Sequence, residues 1–292
     1  MIVRLKSVNY YRLSSYWYPF QEKKGNNFRS GTRWSLIWNY YLADRRLRLL
    51  LLDAIERIEI ALRTLVAYHW YSFESQTLGQ NCFNPQKAYF AKYPSFKKEI
   101  QNLYKKSSHK IHMRKTQYNS CKNVDDLPIW ICIELMSFGQ VRTIYEFLDV
   151  KVKTIIAEEF GFFSVELFSR VLVRLRQVRN ACAHQDRVWN KTWRSFDAPS
   201  IQDSIAVNDE CFYVWDRNVK SWKCGNTLSA GVDKDTTAFV LMLCNRLLGV
   251  AAITSQWKCR VIELLDFYSS FSKGKEGIGF KPYVETHPMW LR

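Results

Sequence analysis

From Asp44 to Tyr68 the apolar positions Leu47, Leu50, Leu51, Ala54, Ile58, Ala61, Leu62 and Leu65 recur at steps of three and four. That period is the stripe of an amphipathic helix, and neither glycine nor proline interrupts it. At 1.5 Å per residue the helix spans roughly 40 Å and makes a main pillar of the fold. Asp53–Arg57 and Glu59–Arg63 stand four apart with the acid first, the favourable order for pairs on an exposed helix face. A second stripe, Val165, Phe168, Val171, Leu172, Leu175 and Val178, predicts another long helix, with Ser164 as its N-cap.

Between these two, Asp125 or Asp126 as cap and Pro128 in the first turn predict one helix running toward Leu148. A shorter helix, Lys151 to Phe160, stops at Gly161, and a further helix is predicted from about Ser95 to Lys106. Thr192 to Asp233 is polar and irregular, with a hairpin expected around Cys211 to Trp222. Closing helices follow near Asp235–Ala252 and Ser255–Ser272, then an extended tail. The pattern predicts an all-α helical bundle, with additional C-terminal helices and a polar insertion. We divide this single domain, 1–292, into an aromatic N-terminal segment (1–43), a helical core (44–190), and the insertion, closing helices and tail (191–292).

Composition agrees with helices. In 292 residues there are only 11 glycines and 7 prolines, too few for a sandwich of many short strands. Charge adds a partner. Lys and Arg number 43 against 27 Asp and Glu, a net +16 that favours a polyanion, either nucleic acid or an anionic membrane face. Nine Lys/Arg and one acid, Glu99, fall between Lys92 and Lys122, either a solvated basic face or a ligand-binding one. The most apolar stretch, Ala238 to Ile253, is broken by Asn245 and Arg246 and is too short to span a bilayer. With no apolar run after Arg4 and Lys6, no secretory signal is read, and a cytoplasmic protein away from the membrane is expected.

Eight scattered cysteines form no Cys-x-x-Cys pair, so buried reduced thiols are expected rather than zinc sites or disulfides. His109 and His112 lack acidic or thiol company, and phosphate-loop or dinucleotide glycine signatures are absent. No metal and no cofactor are expected.

The chemistry concentrates in Arg174 to Trp189, RLRQVRNACAHQDRVW. On a continuous helix Arg176, Asn180 and His184 line one face, flanked by Arg179 and Arg187, while Ala181 and Ala183 leave it open. An imidazole, a carboxamide and several guanidiniums suit phosphodiester chemistry. Histidine gives or takes a proton near neutral pH, and arginine holds phosphate oxygens and stabilises developing charge. With RNA, the substrate's own 2′-hydroxyl supplies the nucleophile. The same set could instead cap the helix end and bind acids. Glu134, among Trp130, Ile131, Leu135 and Phe138, is a charge in an apolar helix that needs a partner. A motif-helix arginine is the expected one, in a functional or merely structural pair. Trp189 either seals the site or stacks on substrate. Tyr10, Tyr11, Tyr16, Trp17, Tyr18 and Phe20 are read mainly as core, with base stacking as the other role.

Four ordered blocks carry a resemblance: NYYRLSSYWYPF at Asn9–Phe20, DRRLRLLLLDAIERIEIALRTLVAYH at Asp44–His69, LPIWICIELMSFGQV at Leu127–Val141 and LRQVRNACAHQDRVWN at Leu175–Asn190. The ending KPYVETHPMWLR joins them. The chain resembles the Abi-like family of bacterial abortive-infection proteins, of the AbiD and AbiF type, placed in the HEPN superfamily. The resemblance implies a HEPN-like all-helical fold. It also implies a nuclease signature of arginine, a polar residue, and histidine after four to six intervening residues, which Arg179, Asn180 and His184 match.

It further implies a homodimer whose two motifs meet in one metal-independent ribonuclease site, with Arg176 and Arg187 in support. RNA is the implied partner, and an RNA or protein antitoxin a further one. A non-catalytic RNA-binding module is the alternative. Gln185 stands where the family commonly has a second histidine, and Ser15 where glycine is frequent. The chain also begins almost at the aromatic block, without the family's usual preceding helical stretch. Asp186 occupies the position where nucleotidylated toxins of this superfamily carry tyrosine, which speaks against that mode of control.

Overall fold

The structure is a computed structural model that describes residues 2–22, 27–78, 128–162, 164–194, 212–216, 221–225, 235–271 and 274–280, with single positions at 94, 98 and 102. Two short helices open the chain, α1 (Ile2–Ser7) and α2 (Tyr10–Trp17), the second capped by the Asn9 side chain on the Tyr11 amide. The predicted pillar is α3, Trp34–Leu78, a single 45-residue helix that begins ten residues before the predicted start. Its stripe is buried at Leu47, Leu51, Ala54, Ile58 and Leu62, as the period requires, while Leu50, Ala61 and Leu65 are half-buried at its edge.

The single helix expected from Pro128 to Leu148 is two, α4 (Ile129–Leu135) and α5 (Phe138–Phe147). Met136 is the C-cap of the first, and Ser137 caps the second. Its hydroxyl accepts the Gln140 amide while the Gln140 side chain accepts the Ser137 N–H, a reciprocal capping box that satisfies two orphan donors and breaks the run. Helix α6 (Val150–Glu159) is capped by Asp149 and ends where Gly161 turns left-handed. Helix α7, Val165–Ala183, starts on Ser164, whose hydroxyl accepts the Leu167 amide.

Strands β1 (Phe212–Asp216) and β2 (Ser221–Gly225) pair antiparallel as the expected hairpin within an otherwise all-α fold. Helices α8 (Thr237–Ala251) and α9 (Trp257–Ser269) close the described chain, with a final 3₁₀ turn at Glu276–Ile278. The helix expected near Ser95–Lys106, the basic run and its His109–His112 pair, the Asp125–Asp126 cap and the tail after Phe280 lie outside the described residues, apart from those single positions.

The chain resolves into two compact units, Met1–Arg57 with Arg174–Arg292, and Ile58–Val173. In the first, α8 is buried continuously from Thr237 to Cys244 and forms the apolar centre. Helix α9 is fastened to α3 by the Trp257 indole N–H on the Leu50 carbonyl (2.8 Å) and by Arg57 on the Ser255 hydroxyl (2.6 Å). In the second, Tyr145, Phe160 and Phe162 gather around Phe168 at ring distances of 5.1–5.4 Å.

The two i,i+4 pairs of α3 form, but at packing junctions rather than on a free face. Arg63 also donates to the carbonyls of Ile133 and Met136, and Asp53 also receives Arg260. Among the described residues no helix is long and apolar enough to cross a membrane.

Candidate active site at the end of helix α7

Helix α7 ends inside the predicted motif. Its last helical residue is Ala183, and His184 is the C-cap. Gln185 then adopts φ 61°, and two bonds close the end: Gln185 N–H to the Cys182 carbonyl (3.0 Å) and Asp186 N–H to the Ala181 carbonyl (2.8 Å). This is a Schellman turn with glutamine in the left-handed position that glycine usually takes. The His184 N–H still bonds the Asn180 carbonyl at 2.9 Å, so the imidazole leaves from the last turn. Arg176, Arg179, Asn180 and His184 therefore share the end of one helix, as expected. Arg187 does not, because the chain has already turned away.

These four side chains differ from their neighbours in one respect. Arg176 and Arg179 are half-buried, Asn180 and His184 exposed, and none makes a side-chain hydrogen bond or ion pair with a described residue. The segment that follows is tied at nearly every step. Arg12 donates to the Gln185 carbonyl (2.8 Å), and Arg187 to the carbonyls of Ser15 and Asn190. Thr237 donates to the Val188 carbonyl (2.9 Å), and the Asn190 N–H reaches Gly277. Arg187 is thus engaged in holding α2, not free to grip a ligand.

Trp189 is core. It is 1% exposed, its indole N–H donates to the Gly274 carbonyl at 3.2 Å, and its ring packs on Tyr40 at 4.3 Å between centroids. A Cβ on Gly277 would lie 2.2 Å from its ring nitrogen, so the 3₁₀ turn is pressed against it. It seals the unit and offers no face to substrate.

A residue that sequence reasoning passed over organises this region. Asp44, wholly buried, accepts the amide N–H groups of Val188 (3.1 Å) and Trp189 (2.7 Å), the Tyr16 hydroxyl and the Arg48 guanidinium. Arg48 also donates to the Tyr16 oxygen (3.0 Å). Burial pushes the Asp44 carboxyl up from its ordinary value, against the pull of Arg48, Tyr16 and the two amides. Burial likewise raises the Tyr16 phenol, with Asp44 adding to it. The signal was present: Asp44 and Arg48 keep register with Leu47 and Leu51, so an i,i+4 charge pair lies in the apolar stripe.

Cys182, two residues before His184, is buried, and burial pushes its thiol up to about 12, which removes it as a nucleophile. Glu134 is on the exposed face of α4, so no burial forces a partner upon it. It lines a cavity of about 300 Å³ within the second unit with Arg63, Tyr68, Tyr71 and Trp130. Among the described residues no group of three His, Cys, Asp or Glu side chains is placed to hold a metal ion.

Fold and site together define an all-α protein with an Arg/Asn/His helix end that has no side-chain partner among the described residues. The family model for Abi-like proteins matches residues 4–190, and the chain belongs to that family. The match takes in all four sequence blocks and ends just after the motif; the tail lies beyond it. Membership points to a role in abortive infection. Searches of curated proteins and of solved structures returned no match to this chain.

Proposed function

We propose that the chain is an abortive-infection endoribonuclease of HEPN type, acting as a homodimer in the cytoplasm on host or phage RNA. The observation that carries this reading is the set of four polar side chains, Arg176, Arg179, Asn180 and His184, gathered at one helix end without a hydrogen-bond or ion-pair partner among the described residues. Polar groups in folded chains generally find partners inside the protein or in water, and a helix end with two unpaired guanidiniums suits an anionic ligand. The spacing of Arg179, Asn180 and His184 fits the HEPN nuclease signature, and the +16 charge favours RNA.

Arg179 holds the scissile phosphate and stabilises its developing charge, with Arg176 in support. Asn180 orients the substrate or the imidazole. One base removes the 2′-hydroxyl proton, O2′ bonds to the adjacent phosphorus, the bond from phosphorus to O5′ breaks, and an acid protonates O5′. The products carry a 2′,3′-cyclic phosphate and a 5′-hydroxyl. Each helix end supplies one histidine, so the acid and the base come from the two His184 side chains of an isologous dimer. A structured RNA or a protein antitoxin covering this edge would keep the enzyme silent.

Wild-type chain should cut unstructured RNA to cyclic-phosphate ends, and excess His184→Ala chain should depress the rate below simple dilution. Strict proportionality would overturn the composite site. Gln185, in place of a second histidine, favours the alternative of an RNA-binding module that does not cut; binding without any cleavage by the wild type would establish it.

A further inference from the structure

The exposed aliphatic side chains are scattered singly over the described helices, which is ordinary for a protein surface. Of the exposed aromatics, three cluster. Tyr10, Tyr11 and Tyr18 are 57%, 82% and 75% exposed and lie within nine residues. Tyr11, Ser15 and Tyr18 stand at i, i+4 and i+7 on the outer face of α2 and its 3₁₀ extension. Leu13, Tyr16 and Trp17 bury the opposite face. Ser14 and Ser15 turn their hydroxyls onto carbonyls of their own helix, at 2.7 and 2.9 Å, leaving a low floor between the two outer rings. Tyr10 meets Tyr11 edge-on at 5.5 Å and rests on Trp17 at 4.9 Å, which restrains the Tyr11 ring before any ligand arrives.

This face is fastened to the candidate active site. Arg12, next to Tyr11, bonds the carbonyl of Gln185, the residue after His184, and Arg187 bonds the carbonyl of Ser15. The buried face of the same helix sends the Tyr16 hydroxyl to Asp44, which holds the amides of Val188 and Trp189. Among the described side chains from Leu5 to Gln21, Lys6 and Arg12 are cationic and none is acidic, which favours a polyanion. Open aromatic faces in a cationic setting are the chemistry that holds unpaired bases, because every base has a π-face and the strand supplies phosphates. A duplex keeps its bases stacked inside and gains little from such a surface.

We infer that Tyr11 and Tyr18, braced by Tyr10, form a stacking ledge for unpaired bases of a single-stranded RNA whose backbone passes His184. The inference rests on the RNA reading above and adds to it the strand form of the substrate and the residues that select it. Tyr11 and Tyr18 position the strand and take no part in proton transfer.

The test uses the full-length His184→Ala chain, so that binding is read without cleavage, and a fluorescently labelled unstructured RNA beside a duplex of the same length. Adding Tyr11→Ala and Tyr18→Ala should weaken single-strand binding by about 5- to 100-fold per lost stack, and duplex binding by less than twofold. Phenylalanine at both positions should restore the affinity, and the salt dependence should stay unchanged because no phosphate contact is removed. Single-strand affinity within twofold of the parent overturns the ledge while leaving the nuclease reading intact. Loss of dimer mass with RNA affinity retained overturns it in favour of a second copy of the chain as occupant. Absence of RNA binding by the His184→Ala parent overturns the RNA reading and the ledge together.

Discussion

Asp44 and His184 are titratable side chains of the same compact unit with opposite fates. Asp44 is buried and receives four hydrogen bonds, from Tyr16, Arg48, Val188 and Trp189. His184 is exposed, and neither it nor Arg176, Arg179 and Asn180 beside it has a side-chain partner among the described residues. The segment 185–190 joins the two. It is pinned by Asp44, Arg12, Arg187 and Thr237, so the turn that presents His184 is held from outside the helix that carries it. Polar groups that shape the unit have their partners inside it, and those left open are the ones available to a substrate.

The largest effect should come from breaking the satisfied side. Asp44→Ala strips the Arg48 guanidinium, itself only 7% exposed, of its carboxylate and leaves two buried amides unpaired. Truncating one partner of a buried pair costs about 3–5 kcal/mol, so urea unfolding should show a loss of that order. A loss under about 1 kcal/mol would mean that the cluster does not hold the turn.

How far the sequence announced this contrast depended on the kind of signal. Periodicity found α3 and α7 because one apolar face repeats in each, and spacing put Arg179, Asn180 and His184 together because they follow one another on a helix. The break between α4 and α5 was missed although Ser137 and Gln140 have the capping-box spacing, because apolar residues on both sides read as one continuing helix. Arg187 was placed beside the motif face by extending the helix past its end, and Trp189 was left open between sealing the site and stacking on substrate, which its burial decides in favour of sealing. No glycine marks that end; the left-handed turn is taken by Gln185, against its preference. Asp44 joins residues 144 and 145 positions away, a distance no local pattern reports.

A smaller effect should sharpen the same comparison. Gln185 pays a steric penalty at φ 61° that glycine does not, and its carbonyl, not its side chain, is what Arg12 holds. Gln185→Gly should therefore stabilise the chain by up to about 1 kcal/mol, a rise in the thermal midpoint of a few degrees at most. Destabilisation by this change would show that the glutamine side chain takes part in the turn.

The most direct measurement pairs thermal melting with RNA cleavage for Arg179→Ala and His184→Ala. Neither side chain has a partner among the described residues, so both variants should melt within a degree or two of the wild type. Removing an acid–base group or a charge-stabilising arginine should lower the cleavage rate by about 10²–10⁴-fold. Undiminished cleavage by His184→Ala, or a loss of activity that merely follows a loss of folded protein, would contradict the assignment of this helix end as the active site.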